Sequence, residues 1–183
     1  MNTIHSATLP SGVSVRPLDT HPDARGRLTE IFRQEWQTGI DPLQWNLLHS
    51  HATVMRGMNV HLKHDDYYVL ASGRLTLGLY DLRRSSPTYG KSAMMELSSD
   101  KLAAVLVPIG VLHGTLYHVS SVMLTGRSNY FDPNDDLGCR WSDPALGFKW
   151  ETRDPILVGR DAERPSLKEL EAELARAKAL GHS

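Results

Sequence analysis

The chain has 183 residues, a formal net charge of −1 and a single cysteine. That length suits one domain, 1–183, with a real hydrophobic core. Charges of both signs are dispersed, so no basic stripe invites nucleic acid, and the lone thiol of Cys139 excludes an internal disulfide framework.

In chain order, short runs rich in Val, Leu, Tyr and Thr alternate with Gly, Pro, Asp and Ser clusters. The spacing predicts strands over 28–32, 44–51, 56–62, 67–71, 74–81, 103–107, 114–118 and 122–129. Turns are signalled at His64-Asp65-Asp66, Ser72-Gly73, Ser85-Ser86-Pro87 and Pro108-Ile109-Gly110. The rhythm is that of an all-β sandwich or barrel, compatible with a jelly roll. One helix is predicted at the end, over 166–180: Ser166 can cap it with Glu169 three residues on, and Leu167, Leu170 and Leu174 form an apolar stripe that would pack on the outside of the barrel. Residues Met1 to Ser6 lack the charged and apolar regions of a secretion signal, so the cytoplasm is the expected compartment. The most apolar stretch, 102–112, is interrupted by Pro108 and Gly110 and is too short for a membrane span. No membrane association is expected.

Two spacings carry chemical information. His61, Asp66 and Gly73 form one, and Pro108-x-Gly110-x-x-His113 forms the other. Together they resemble the two halves of the cupin signature, which implies a double-stranded β-helix whose strands point polar side chains into one cavity. The flanks resemble one cupin branch, the dTDP-4-dehydrorhamnose 3,5-epimerases. The resemblance rests on Asp23-Ala24-Arg25-Gly26-Arg27-Leu28-Thr29-Glu30, Gln44-Trp45-Asn46 with Ser50, Arg56-Gly57, the run from Asp81 to Gly90, Leu97-Ser98, Asn129-Tyr130, and Trp141-Ser142-Asp143-Pro144 with Trp150. It implies a homodimer exchanging N-terminal strands within 1–30 and a nucleotide-diphosphate sugar in the barrel mouth. Arg25 and Arg56 would contact the diphosphate, as suits the planar guanidinium, while Glu30, Gln44 and Asn46 would serve nucleoside and phosphate. No cofactor is required by this resemblance.

Epimerisation beside a keto group needs a base, a donor for the developing enolate oxygen and an acid on the opposite face. The family's base position, a histidine, corresponds to Asn59; its lysine position to Asp66; its two tyrosine positions to Thr125 and Phe131. Asp161 matches the aspartate that supports the family histidine. The groups left to carry altered acid/base chemistry are His61, His113, Tyr130 and Asp161; Tyr117, Arg127 and Tyr130 are expected near the cavity by strand alternation from His113 and Thr125, and Asn59, Tyr117 and Arg127 are expected to contact substrate.

In metal-binding cupins the ligands come from His-x-His-x4-Glu-x6-Gly and Pro-x-Gly-x-x-His. On this chain the corresponding residues are Asn59, His61, Asp66 and His113, so His61, Asp66 and His113 could hold a divalent metal such as Fe or Zn, with the Asn59 carbonyl as a weak fourth ligand. His64 and His118 are expected to be exposed or structural. Three functions stay open: a nucleotide-sugar epimerase with altered chemistry, a metal-dependent cupin enzyme, and a catalytically silent nucleotide-sugar binder.

Overall fold

Period-two alternation along the strands separates an inward row from an outward row, and two sheets meet over the inward rows. The computed structural model describes residues 8–179. One antiparallel sheet has the order β1(Ser14–Pro17), β9(Ala103–Val107), β6(Asp66–Ser72), β11(Ser121–Arg127), β4(Gln44–Ser50). The other runs β12(Leu137–Gly138), β5(Met55–Val60), β10(Val111–Tyr117), β7(Arg74–Asp81), β8(Ser92–Ser98). The hairpin of β2(Thr20–Asp23) and β3(Gly26–Thr29) forms a separate two-stranded sheet. Among the described residues, no helix is long and apolar enough to cross a membrane.

The jelly roll expected from the sequence is therefore present, with differences at its edges. Strand signals at 28–32 give way to β3, which ends at Thr29; Ile31 and Phe32 instead pack over the outer face of the first sheet, against a cluster containing Tyr67 and Val69. Strands β1, β2, β8 and β12 carry no counterpart in the sequence reading.

Between the sheets, Leu70 of β6, Leu75, Leu77 and Leu79 of β7, Ala93, Met95 and Leu97 of β8, and Tyr117 and Met123 close one end of the barrel with apolar packing. Each fully buried leucine there contributes ~1.5–3 kcal/mol of transfer free energy. The outer face of the second sheet is covered by the C-terminal part of the chain: α1(Arg160–Glu163) and α2(Leu167–Ala179), with Leu167 and Leu170 buried against Met58, Val60 and Leu112. The start of α2 follows its sequence signal. Ser166 Oγ accepts from the Glu169 backbone at 3.3 Å, and Glu169 Oε2 accepts from the Ser166 N–H at 2.8 Å, a reciprocal capping box. Residue 180 lies outside the described residues.

One glycine is decisive for the site. Gly57 has φ of 105°, and a Cβ there would lie 2.7 Å from the His113 carbonyl oxygen and 2.9 Å from the Gly114 Cα. Any larger residue would separate β5 from β10 where their register shifts between His113 and Gly114.

Candidate functional site

The open end of the barrel is a polar cavity of about 400 Å³, within the usual range for a small-molecule site. The same inward rows that are apolar at the closed end become polar here. β6 runs from Leu70 through Tyr68 to Asp66, β10 from Tyr117 through Thr115 to His113, and β11 from Met123 through Thr125 to Arg127. β4 adds Gln44, Asn46 and Leu48, and β5 adds Asn59, followed by His61.

The rim is a hydrogen-bonded chain. The Phe131 backbone N–H donates to Gln44 Oε1 at 2.9 Å, Gln44 Nε2 donates to Asn46 Oδ1 at 3.1 Å, and Asn46 Nδ2 donates to Thr125 Oγ1 at 3.4 Å. Arg56 is braced on the wall by Ser50 Oγ at 3.0 Å and the His49 carbonyl at 3.2 Å. Arg127 lies over the Phe131 ring, its guanidinium carbon 5.5 Å from the centroid.

The deep wall gathers titratable groups around Asp66. Its Oδ2 is 3.7 Å from His61 Nε2 and 3.5 Å from His113 Nε2; its Oδ1 is 3.7 Å from both His64 Nε2 and Arg127 Nε. His61 Nδ1 meets the Asp135 carbonyl at 2.9 Å, and His113 Nδ1 meets the Val111 carbonyl at 3.0 Å. His64 stacks on His61 with ring centroids 4.1 Å apart, and its Nδ1 is 3.3 Å from Asp135 Oδ2. Asp135 also accepts the backbone N–H groups of Leu62 and Lys63, which holds the turn that carries His64. Tyr68 Oη is 2.9 Å from His113 Nε2. Burial dominates the electrostatics: it pushes Asp66 up to about 6, His113 down to about 4 and His64 down to about 3. His61 is lowered too, by burial and then by the neighbouring His113.

Of the residues singled out in the sequence, Gln44, Asn46, Arg56, Asn59, His61, Asp66, His113, Thr125, Arg127, Phe131 and Asp161 all line this one cavity. Four do not. Tyr117 is enclosed in the apolar core between the sheets, 0% exposed, because its inward row has already passed from polar to apolar. Tyr130 is 67% exposed, beyond the end of β11 where alternation no longer governs direction. Arg25, whose side chain is 91% exposed, pairs with Asp23 in the hairpin, and Glu30 pairs with Arg33. His64 is buried within the Asp66 group. The Asn59 carbonyl is not open to an ion, since it accepts from Arg164 Nη2 at 2.7 Å.

Sequence reasoning missed Tyr68, His64, Asp135, Arg160 and Arg164. Tyr68 was accessible from its place two residues after Asp66 on one strand face. Arg164 had no local signal, lying on the far side of the chain order from Asn59. Among the described residues, two groups bring three potential metal-ligating atoms within 4.8 Å of one another: His61, Asp66 and His113, and His61, His64 and Asp135.

Comparison with known proteins fits this architecture. Residues 8–169 match the family model described as dTDP-4-dehydrorhamnose 3,5-epimerase. The chain is 31% identical over 147 residues to the spore coat polysaccharide biosynthesis protein SpsL of Bacillus subtilis, covering 77% of this chain and 96% of that one. It is 31% identical over 163 residues to the dTDP-4-dehydrorhamnose 3,5-epimerase of Sinorhizobium fredii, covering 81% of each. Among solved structures, the Mycobacterium tuberculosis RmlC epimerase superposes with a TM-score of 0.83 at 25% identity, over 89% of this chain and 88% of that one. A double mutant of ChmJ, a 3′-monoepimerase from Streptomyces bikiniensis in complex with dTDP, superposes with a TM-score of 0.80 at 25% identity, over 94% and 88%. With its fold and nearly its whole length matched in this way, the chain belongs to the dTDP-4-dehydrorhamnose 3,5-epimerase family.

Proposed function

We propose that this protein takes a nucleoside-diphosphate-linked keto sugar in its cavity and treats it by acid/base chemistry different from ordinary 3,5-epimerisation. The observation that carries the second half is the contact from Arg164 Nη2 to Asn59 Oδ1 at 2.7 Å. A guanidinium has donors only, so the amide atom facing it is the oxygen. The remaining polar atom of Asn59 on the cavity wall is then its NH2 group. Such a group donates a hydrogen bond to a carbonyl or enolate oxygen and cannot take a proton from carbon.

Beside it, Asp161 lines the same wall; its buried Oδ1 has no hydrogen-bond partner and lies 3.9 Å from both Arg160 Nε and Arg164 Nε, while Oδ2 meets the Gly57 N–H at 3.5 Å. In this reading Asn59 holds the sugar carbonyl and Asp161 is the proton acceptor. Arg56, Arg127 and Arg160 on the wall supply positive charge for a diphosphate, and Gln44 and Asn46 supply adaptable polar contacts. The dTDP named in the ChmJ complex is the model for the nucleotide portion. The exposed β2–β3 hairpin, with Arg25 at its tip and Leu28 uncovered, suits exchange into a second copy of the chain, where Arg25 and Glu30 would reach the partner's cavity.

Solvent-deuterium incorporation into dTDP-4-keto-6-deoxyglucose tests the chemistry. Exchange at C3 and C5 should run roughly 10²–10⁴-fold below a family enzyme, the contribution of a positioned proton-transfer group. Exchange at the ordinary rate would overturn the roles given to Asn59 and Asp161. Calorimetric titration with dTDP tests the ligand. Arg56→Ala should weaken binding by roughly 10- to 150-fold, the worth of a charge-assisted hydrogen bond, and an unchanged affinity would remove Arg56 from the diphosphate site.

A further inference from the structure

We propose that His61, Asp66 and His113 form a binding site for one divalent first-row transition-metal ion in the deep wall of the cavity, with His64, Asp135 and the Val111 carbonyl as its outer support. The inference is independent of which sugar the mouth accepts.

Two ligand atoms bound to one ion at ~2.0–2.2 Å and a tetrahedral angle lie roughly 3.3–3.6 Å apart. His61 Nε2 and His113 Nε2 stand 3.7 and 3.5 Å from the same oxygen, Asp66 Oδ2, and the three atoms fall within 4.8 Å of one another. Both imidazoles present the same nitrogen. In each, Nδ1 is engaged by a backbone carbonyl, Asp135 at 2.9 Å and Val111 at 3.0 Å, which fixes the tautomer with Nε2 as the acceptor nitrogen. That is the outer arrangement that orients histidine ligands in metal sites.

The two oxygens of Asp66 divide their work in the same sense. Oδ2 faces the ligand imidazoles, while Oδ1 faces His64 Nε2 and Arg127 Nε, each at 3.7 Å. Behind Asp66, both ring nitrogens of His64, a residue 2% exposed, lack a hydrogen-bond partner, Nε2 standing 3.7 Å from Asp66 Oδ1 and Nδ1 3.3 Å from Asp135 Oδ2. An imidazole so enclosed should not be left unsatisfied. A neutral imidazole has one N–H, so it can donate to only one of the two carboxylates beside it; Nε2–H can close on Asp66 Oδ1 with a small adjustment, and a dication at Oδ2 would hold that carboxylate in place. The Asp66 carboxylate, which faces the Arg127 guanidinium at 3.7 Å, supplies the negative charge of the ligand set. Tyr68 Oη now contacts His113 Nε2, and its hydroxyl also faces Asp66, which gives it a second acceptor once that nitrogen is taken. Asn59 is excluded from the ligand set by Arg164. Two imidazoles and one carboxylate with open positions suit Fe(II), Zn(II), Co(II) or Mn(II), and a bound ion would supply Lewis-acid polarisation of an oxygen at the inner end of the cavity.

The test uses untagged protein, stripped with EDTA, dialysed and titrated with Co(II), with visible d–d absorption and elemental analysis as readouts. One Co(II) per chain is expected. Asp66→Asn and His113→Gln should each weaken binding at least a hundredfold, and His64→Gln roughly 10- to 100-fold with unchanged stoichiometry, as outer-support residues do. Absence of a Co(II) site in the unsubstituted protein overturns the proposal, as does an affinity unchanged in both Asp66→Asn and His113→Gln. Should those variants fail to fold, histidine ring resonances of the unsubstituted protein decide. Paramagnetic broadening centred on His61 and His113 supports the site, and broadening confined to the exposed His49 and His51 overturns it.

Discussion

Two enclosed carboxylates in this barrel have opposite surroundings. Asp81, 0% exposed at the end of β7, accepts from the Arg83 backbone at 3.1 Å, from Arg83 Nε and Nη2 at 2.8 Å each, and from Ser86 Oγ and Thr88 Oγ1 at 2.6 Å each. Asp66, 2% exposed, has the Tyr68 hydroxyl beside it and otherwise imidazole and guanidinium nitrogens at 3.5–3.7 Å. Burial acts to raise both. At Asp81 the hydrogen bonds from Arg83, Ser86 and Thr88 outweigh it and hold the carboxyl down to about 2, whereas at Asp66 burial prevails and the carboxyl rises to about 6. A carboxylate saturated with short donors ties a loop to a strand. One with the Tyr68 hydroxyl beside it and otherwise nitrogens at 3.5–3.7 Å keeps a poorly compensated charge, which is why burial prevails there.

The contrast can be broken most directly by neutralising each acid. Asp81→Asn should cost about 3–5 kcal/mol in urea unfolding, because it leaves a guanidinium and two hydroxyls facing a poorer acceptor in a buried site. A loss under about 1 kcal/mol would show that the Asp81 cluster is not structural. Acid titration sharpens the same point with a smaller effect. A carboxyl whose folded pKa lies below its ordinary 3.8 stabilises the fold above pH about 4 and loses that contribution as pH falls towards about 2. The difference in stability between the unsubstituted protein and Asp81→Asn should therefore shrink by about 2 kcal/mol over that interval. A difference that stays constant would separate Asp81 from acid unfolding. The smallest effect is expected at Asp66. In metal-free protein Asp66→Asn should change unfolding free energy by no more than about 1 kcal/mol, since the amide removes a buried charge that has few close bonds to lose. A loss comparable to that of Asp81→Asn would make the two carboxylates equivalent and end the comparison.

Much of the barrel was legible in the sequence because alternation and turn residues are local. Inward rows such as Asp66, Tyr68 and Leu70 repeat at two residues, and Ser72-Gly73 marks the turn between β6 and β7 where Gly73 adopts φ of 102°. The rim and the Asp66 group followed from the same rule and from the family spacing. What alternation cannot supply is depth. It assigns Tyr117 to the inward face correctly, yet two residues beyond Thr115 that face is already core. Nor does it reach past a strand end, which is why Tyr130 points away. His64 sits in a polar turn that reads as solvated, and only the return of the 132–135 segment encloses it. The most consequential miss, Arg164 on Asn59, is a contact between a strand and the start of the C-terminal helical segment. Only tertiary structure brings them together.

That contact has a further consequence for which part of the chain controls the cavity. Every strand of both sheets lies N-terminal to Arg164, the last strand being Leu137–Gly138. The barrel can therefore be hydrogen-bonded throughout while residue 59 still has both polar atoms unclaimed. The orientation of the amide is held by Arg164, which lies behind Gly138 just ahead of Leu167 and Leu170 on the outer face. The fold and the polarity of its cavity are thus set by different stretches of the chain.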